Sequence, residues 1–101
     1  MTITKTFEDK KLTLAIEGRL DTTTSPQLND VLIPAFNEAK EIILDFSKVE
    51  YISSAGLHIL LIGQKTANSK NASMKLLGVS DEIMEVLEMT GFTNMLTIVR
   101  Q

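Results

Sequence analysis

The spacing of apolar residues switches back and forth along this chain between a period of two and one near 3.6. Little fits that pattern except a sheet with helices laid on it. Ile3, Lys5 and Phe7 alternate with Thr2, Thr4 and Thr6, and Leu12, Leu14 and Ile16 alternate with Thr13, Ala15 and Glu17. Both stretches predict half-buried strands, joined as a hairpin through Glu8-Asp9-Lys10-Lys11. Gly18-Arg19-Leu20-Asp21 breaks the alternation, and Thr22-Thr23-Thr24-Ser25-Pro26 announces a helix. Either Ser25 caps it with Pro26 at the first helical position, or Thr24 caps it with Gln27 closing a capping box. Leu28, Val31, Leu32, Ala35, Phe36 and Ala39 follow at helical spacing. Pro34 cannot donate to the carbonyl of Asp30, so a kink or restart is expected there.

The unbroken apolar run Ile42-Ile43-Leu44 predicts a central strand covered on both faces. Ser47 to Ile52 is expected to be a connecting loop with apolar anchors. Ser53-Ser54-Ala55-Gly56 leads into a helix running from Leu57 past Ala67, ended by the polar cluster Asn68-Ser69-Lys70-Asn71. Met74, Leu76 and Val79 make another strand. Ser80 caps a third helix, with Asp81 and Glu82 in its first turn and Gly91 as its stop. Met95, Leu96, Ile98 and Val99 make a closing strand. The order strand, strand, helix, strand, helix, strand, helix, strand implies an antiparallel hairpin and then crossovers between parallel neighbours. The fold class is α/β, a mixed β-sheet with helices packed on it, in one domain over 1–101.

Composition narrows the function. With 101 residues the chain is one domain, long enough for a core without staples. It has no Cys, which excludes a disulfide framework, a thiolate metal site and a Cys nucleophile. Ten Lys plus Arg against thirteen Asp plus Glu give a net charge of −3, without the basic stripe of a nucleic-acid binder. No apolar run reaches the ~20 residues of a membrane span, and Met1 to Asp9 lacks the pattern of a signal peptide. A cytoplasmic protein without membrane insertion is expected.

An enzyme is not. The single His58 stands in an apolar helix without a positioned nucleophile or a third group. No phosphate-cradling glycine motif is present. Gly63 is best explained by close packing of its helix on the sheet. No catalytic residue, metal site or cofactor is assigned. What stands out is Asp45 to Leu57, which places two hydroxyls where a chain segment becomes a helix. Ser53 or Ser54 could serve only as an N-cap. Alternatively, one is a modification site, where a phosphate would meet free N–H groups and the positive end of the helix dipole.

Three stretches resemble the STAS family, in particular the small stand-alone anti-sigma factor antagonists of bacteria. They are Gly18-Arg19-Leu20-Asp21, Ile43-Leu44-Asp45-Phe46-Ser47 running on to Tyr51-Ile52-Ser53-Ser54-Ala55-Gly56-Leu57, and Met89-Thr90-Gly91-Phe92. The resemblance implies an antagonist that binds an anti-sigma factor serine kinase and so releases a sigma factor. It is then phosphorylated by that kinase on a Ser two residues before the signature Gly and is restored by a phosphoserine phosphatase. Counting back from Gly56, the acceptor is Ser54. Asp21 matches the acidic residue near the acceptor, and Asp21, Ser53, Ser54, Gly56 and Leu57 are the expected partner-binding set. Ser53 stands where phosphorylated members often carry Asp, and Ala55 where they often carry Ser or Thr. The family's last helix is expected to be missing or vestigial. The alternative is a non-switching STAS subunit of a membrane transporter or a scaffold complex.

Overall fold

The structure, a computed structural model, describes residues 1–99. Strands β1 (Thr2–Glu8) and β2 (Lys11–Leu20) form the antiparallel hairpin. At its tip Asp9 and Lys10 both take positive φ, 52° and 68°, the backbone twist a two-residue turn needs. Helix α1 (Ser25–Ala35), strand β3 (Glu41–Ile52), helix α2 (Ser54–Ser69), strand β4 (Ser73–Leu77), helix α3 (Asp81–Met89), a 3₁₀ turn at Phe92–Asn94 and strand β5 (Thr97–Val99) follow. The sheet order is β1-β2-β3-β4-β5, and every pair after the hairpin is parallel.

That order decides where the helices go. Parallel crossovers are right-handed almost without exception. Here each crossover steps one strand further in the same direction, so α1, α2 and α3 fall on one face. Burial follows: Leu12, Leu14, Ile16, Ile42, Leu44, Phe46, Met74 and Leu76 form the sheet side of the core, under Leu28, Leu32, Leu60, Ile83 and Leu87. The expectation of a central strand covered on both faces is therefore corrected. Residues 42, 44 and 46 are buried, whereas Ile43 and Asp45 are half-buried on the opposite face.

A second correction concerns Ser47 to Ile52, which is not a loop but the second half of β3. It continues to pair with β2, through Lys48↔Glu17, Val49↔Gly18, Tyr51↔Arg19 and Ile52↔Leu20. Two register irregularities, at Ala15/Glu17 and at Gly18/Arg19, space the buried residues Phe46, Val49 and Ile52 by three rather than two. Bulges of this kind bend a strand and add twist. They also erase the alternation by which a strand is recognised, and β2 likewise runs on through Gly18 and Arg19 to Leu20.

The helix ends hold smaller surprises. Pro34 lies in the last turn of α1, which ends one residue later at Ala35. Tight turns follow it, with the N–H groups of Phe36, Asn37 and Glu38 donating to the carbonyls of Ile33, Pro34 and Ala35. Ala39 lies beyond the helix. Ser80 caps α3 as expected, its Oγ accepting from the Ile83 N–H at 3.2 Å. Gly91 stops α3 at φ 79°. The closing strand is shorter than expected, Met95 falling in the preceding turn. The expected absence of a last helix concerns the chain past Val99, outside the described residues.

Candidate functional site

The C-terminal ends of β2 and β3 lie side by side, with Leu20 paired to Ile52. Asp21 and Ser53 are the next residues of the two strands, and the Ser53 N–H donates to the Leu20 carbonyl at 2.9 Å. The fold thus brings the residues predicted from the Gly18–Asp21 and Tyr51–Leu57 stretches to one end of the sheet.

The start of α2 separates the two serines. Ser53 is the N-cap, with extended backbone (φ −102°, ψ 176°), and its Oγ accepts from the Gly56 N–H at a long 3.5 Å. The Ser53 carbonyl accepts from the Leu57 N–H at 3.0 Å. Ser54 is the first helical residue and is exposed. Capping therefore falls to Ser53 and leaves the Ser54 hydroxyl to solvent. The N–H groups of Ser54 and Ala55, in the first two helical positions, are among those a helix cannot satisfy from within.

Gly56 explains how the helix can start so close to the strands. A Cβ there would come within 2.8 Å of Leu20 Cγ, 2.9 Å of Ile52 Cγ1 and 3.0 Å of the Leu20 carbonyl oxygen. Gly56 is buried and Leu57 is only 6% exposed. Both residues seat α2 on the strand ends, and Ser54 faces out. Gly63, expected to pack on the sheet, lies closest to α1: an added Cβ would stand 2.7 Å from Leu32 Cδ2 and 3.0 Å from Met74 Sδ on β4.

Asp21 is tied into the turn before α1. Its Oδ1 accepts from the N–H groups of Thr23 at 3.0 Å and Thr24 at 3.1 Å, and from the Thr24 hydroxyl at 3.2 Å. Thr24 Oγ1 in turn accepts from the Asp21 N–H at 2.9 Å. Donation by the Thr24 N–H is the largest influence holding the Asp21 carboxyl below its ordinary pKa. Desolvation, the next largest influence, opposes it, and the Thr23 N–H, the Thr24 hydroxyl and the charge of Arg19 add to the lowering. Neither capping arrangement expected for α1 forms. Thr24 occupies the N-cap without a side-chain cap bond, Ser25 is buried with its hydroxyl donating to the Asp21 carbonyl, and Gln27 reaches the Met1 carbonyl instead.

Two neighbours escaped the sequence reading. Arg19 lies over the ring of Tyr51, 4.2 Å from its centroid, and its Nε is 3.8 Å from Asp21 Oδ2. Tyr51 is 41% exposed. A cation on an exposed aromatic face is attracted to it even in water. Only the β2–β3 register, with its bulges, would have paired these residues in advance. Among the described residues no group of three or more His, Cys, Asp or Glu could hold a metal ion. No helix there is long and apolar enough to cross a membrane.

A mixed five-stranded sheet with three helices on one face, and a serine pair opening the second helix, defines a class. The family model described as "Mlab, STAS domain" matches residues 3–99, and the chain belongs to the STAS-domain family. An anti-sigma-B factor antagonist of Staphylococcus aureus is 30% identical over 99 residues, 97% of this chain and 92% of the relative. A crystal structure from Thermotoga maritima shares the fold with a TM-score of 0.90 at 18% identity, covering 98% of this chain and 86% of that one. A sulfate transporter family protein from Wolinella succinogenes is 26% identical, with a TM-score of 0.77 over 89% of this chain and 74% of its own.

Proposed function

We propose that this chain is an anti-sigma factor antagonist. It binds an anti-sigma factor that is also a serine kinase and is switched off by phosphorylation of Ser54. One observation carries the reading: Ser54 is exposed at the first position of α2, while Ser53 does the capping. The full-length similarity to the staphylococcal antagonist supports it. Added phosphate would sit against the unsatisfied N–H groups of the α2 N-terminus and the positive end of its dipole, so the fold can accept it. The same phosphate places about two negative charges beside Asp21 on the surface that closes on the partner. Like charges forced together in an interface cost several kcal/mol, and ~2.7 kcal/mol already weakens binding a hundredfold. A phosphoserine phosphatase would reset the switch. The protein acts in this reading as a cytoplasmic binding module, not an enzyme, with no direct contact with nucleic acid and no membrane insertion.

A second reading has support of its own. The 26% identical chain belongs to a sulfate transporter family protein, and Ser53 and Ala55 flank the acceptor in place of the residues that the phosphorylated members often carry. Here the chain would be a non-switching subunit of a transporter or scaffold complex. Affinity capture from the native host, followed by mass spectrometry, separates the two. A serine kinase that regulates a sigma factor supports the switch, and a transporter subunit in its place supports the second reading.

A further inference from the structure

The two edges of the sheet are managed differently. At one edge β5 presents only Thr97–Val99 among the described residues. At the other, β1 presents seven consecutive residues, six of them exposed, with no proline, glycine or bulge and no strand partner on its outer side among the described residues. A long open edge is a template for another strand, and proteins usually blunt it with a charge. β1 has one such charge at its middle, Lys5, and that charge is tied down: Lys5 Nζ donates to Glu38 Oε1 at 2.8 Å and Oε2 at 2.7 Å.

We propose that the outer edge of β1 pairs antiparallel with β1 of a second copy, about a two-fold axis at Lys5, so that two five-stranded sheets become one. The strand's own sequence points to a second copy as the occupant. In this register Ile3 faces Phe7, Thr4 faces Thr6 and Thr2 faces Glu8. Ile3, Lys5 and Phe7 share the helix-covered side, opposite Ile16, Leu14 and Leu12 in β2. Phe7, 58% exposed in the single chain, gains an aliphatic neighbour at both ends of the pairing. Thr4 and Thr6 match on the open side, where threonine pairs favour a sheet. The two lysines meet at the axis, each already neutralised by its own Glu38. The axis stands perpendicular to the sheet, so both helix layers share one face. The two Ser54 ends point in opposite directions, and a dimer of this kind presents two unobstructed copies of the site.

One strand pair buries less than the ~1,200 Å² of a standard interface, which makes this a weak, concentration-dependent dimer. Sedimentation of the intact protein up to about 1 mM, the weak end of specific association, should show a rising dimer fraction. Phe7→Glu and Glu38→Gln should each lower it at least tenfold, with helicity and melting unchanged. The register has its own test, because the chain contains no cysteine. Lys5→Cys places a thiol at the axis, where the Cα separation of an antiparallel pair, roughly 4.5–5.5 Å, suits a disulfide. Under mild oxidation Lys5→Cys should form a covalent dimer rapidly. Thr2→Cys should not, except when mixed with Glu8→Cys. A wild type that stays monomeric at 1 mM overturns the proposal. So does a Thr2→Cys protein that cross-links to itself as fast as Lys5→Cys.

Discussion

Of the three helices that start at this end of the sheet, α1 and α2 each have a serine as their first residue. At the β2–α1 junction, Ser25 is 3% exposed and its hydroxyl is spent on the Asp21 carbonyl. Around it Asp21 and Thr24 close a turn with three hydrogen bonds between backbone and side chains and one between their two side chains. At the β3–α2 junction the chain goes straight from Ile52 into the cap. A single, long side-chain bond to Ser53 Oγ caps the first turn, Gly56 lets that turn sit directly on the strands, and Ser54 is left outside. The same residue type at equivalent ends of neighbouring strands is thus structural in one place and chemically available in the other. What separates them is whether the strand-to-helix turn needs the hydroxyl.

The largest effect expected comes from removing what allows the second junction to be so short. Gly56→Ala drives a methyl group into Leu20 and Ile52 and toward a backbone oxygen that cannot move aside cheaply. Overpacking of this kind costs about 1–3 kcal/mol, to be read as a lowered midpoint in urea. Ser25→Ala should cost about 1 kcal/mol, since a buried hydrogen bond is lost while the Asp21 carbonyl keeps the Ser25 N–H. Ser53→Ala removes the cap and should cost about 0.5–1 kcal/mol. Ser54→Ala should lie within ~0.5 kcal/mol of wild type, as exposed positions usually do. If Ser54→Ala proved as costly as Ser25→Ala, the contrast between the junctions would fail.

Charge sharpens the same contrast. Ser54→Asp puts a negative charge at the α2 N-terminus, which the dipole favours by ~0.3–1 kcal/mol, so its melting temperature should not fall. Its affinity for the proposed anti-sigma kinase should, though by less than the proposed phosphorylation would achieve, because Asp carries about half the charge of phosphoserine. The smallest effect belongs to Asp21. Its folded pKa is lowered, chiefly by the Thr24 N–H, so the stability it contributes is present above the ordinary carboxylate range, about pH 4, and is lost as pH falls through the folded value. Asp21→Asn should therefore reduce the acid sensitivity of unfolding below about pH 4. Acid titrations of both proteins, followed by circular dichroism, would check it.

Much of this was legible in the sequence for physical reasons. Strict alternation at Leu12, Leu14 and Ile16 gave away a one-sided strand, and Ser80 with two acids behind it gave away a helix start. Ser53 and Ser54 were legible as a junction, but only the built helix assigns one to the cap and the other to solvent. The second half of β3 was hidden because bulges stretch Phe46, Val49 and Ile52 to a spacing of three. The bare face of the sheet was hidden because Ile42-Ile43-Leu44 looks alike in a two-sided strand and in a one-sided strand with a half-buried outer residue. Side-chain roles that depend on register, such as Arg19 on Tyr51 and the turn built on Asp21, could not be seen before the strands were paired.

The central claim is that Ser54, not Ser53, is the group the partner modifies. Incubating wild type, Ser53→Ala and Ser54→Ala with the cognate kinase and ATP, then locating the phosphate by mass spectrometry, tests it directly. The account predicts one phosphate on Ser54 in the wild type and in Ser53→Ala, and none in Ser54→Ala. Phosphate on Ser53, retained when Ser54 is replaced, would contradict it.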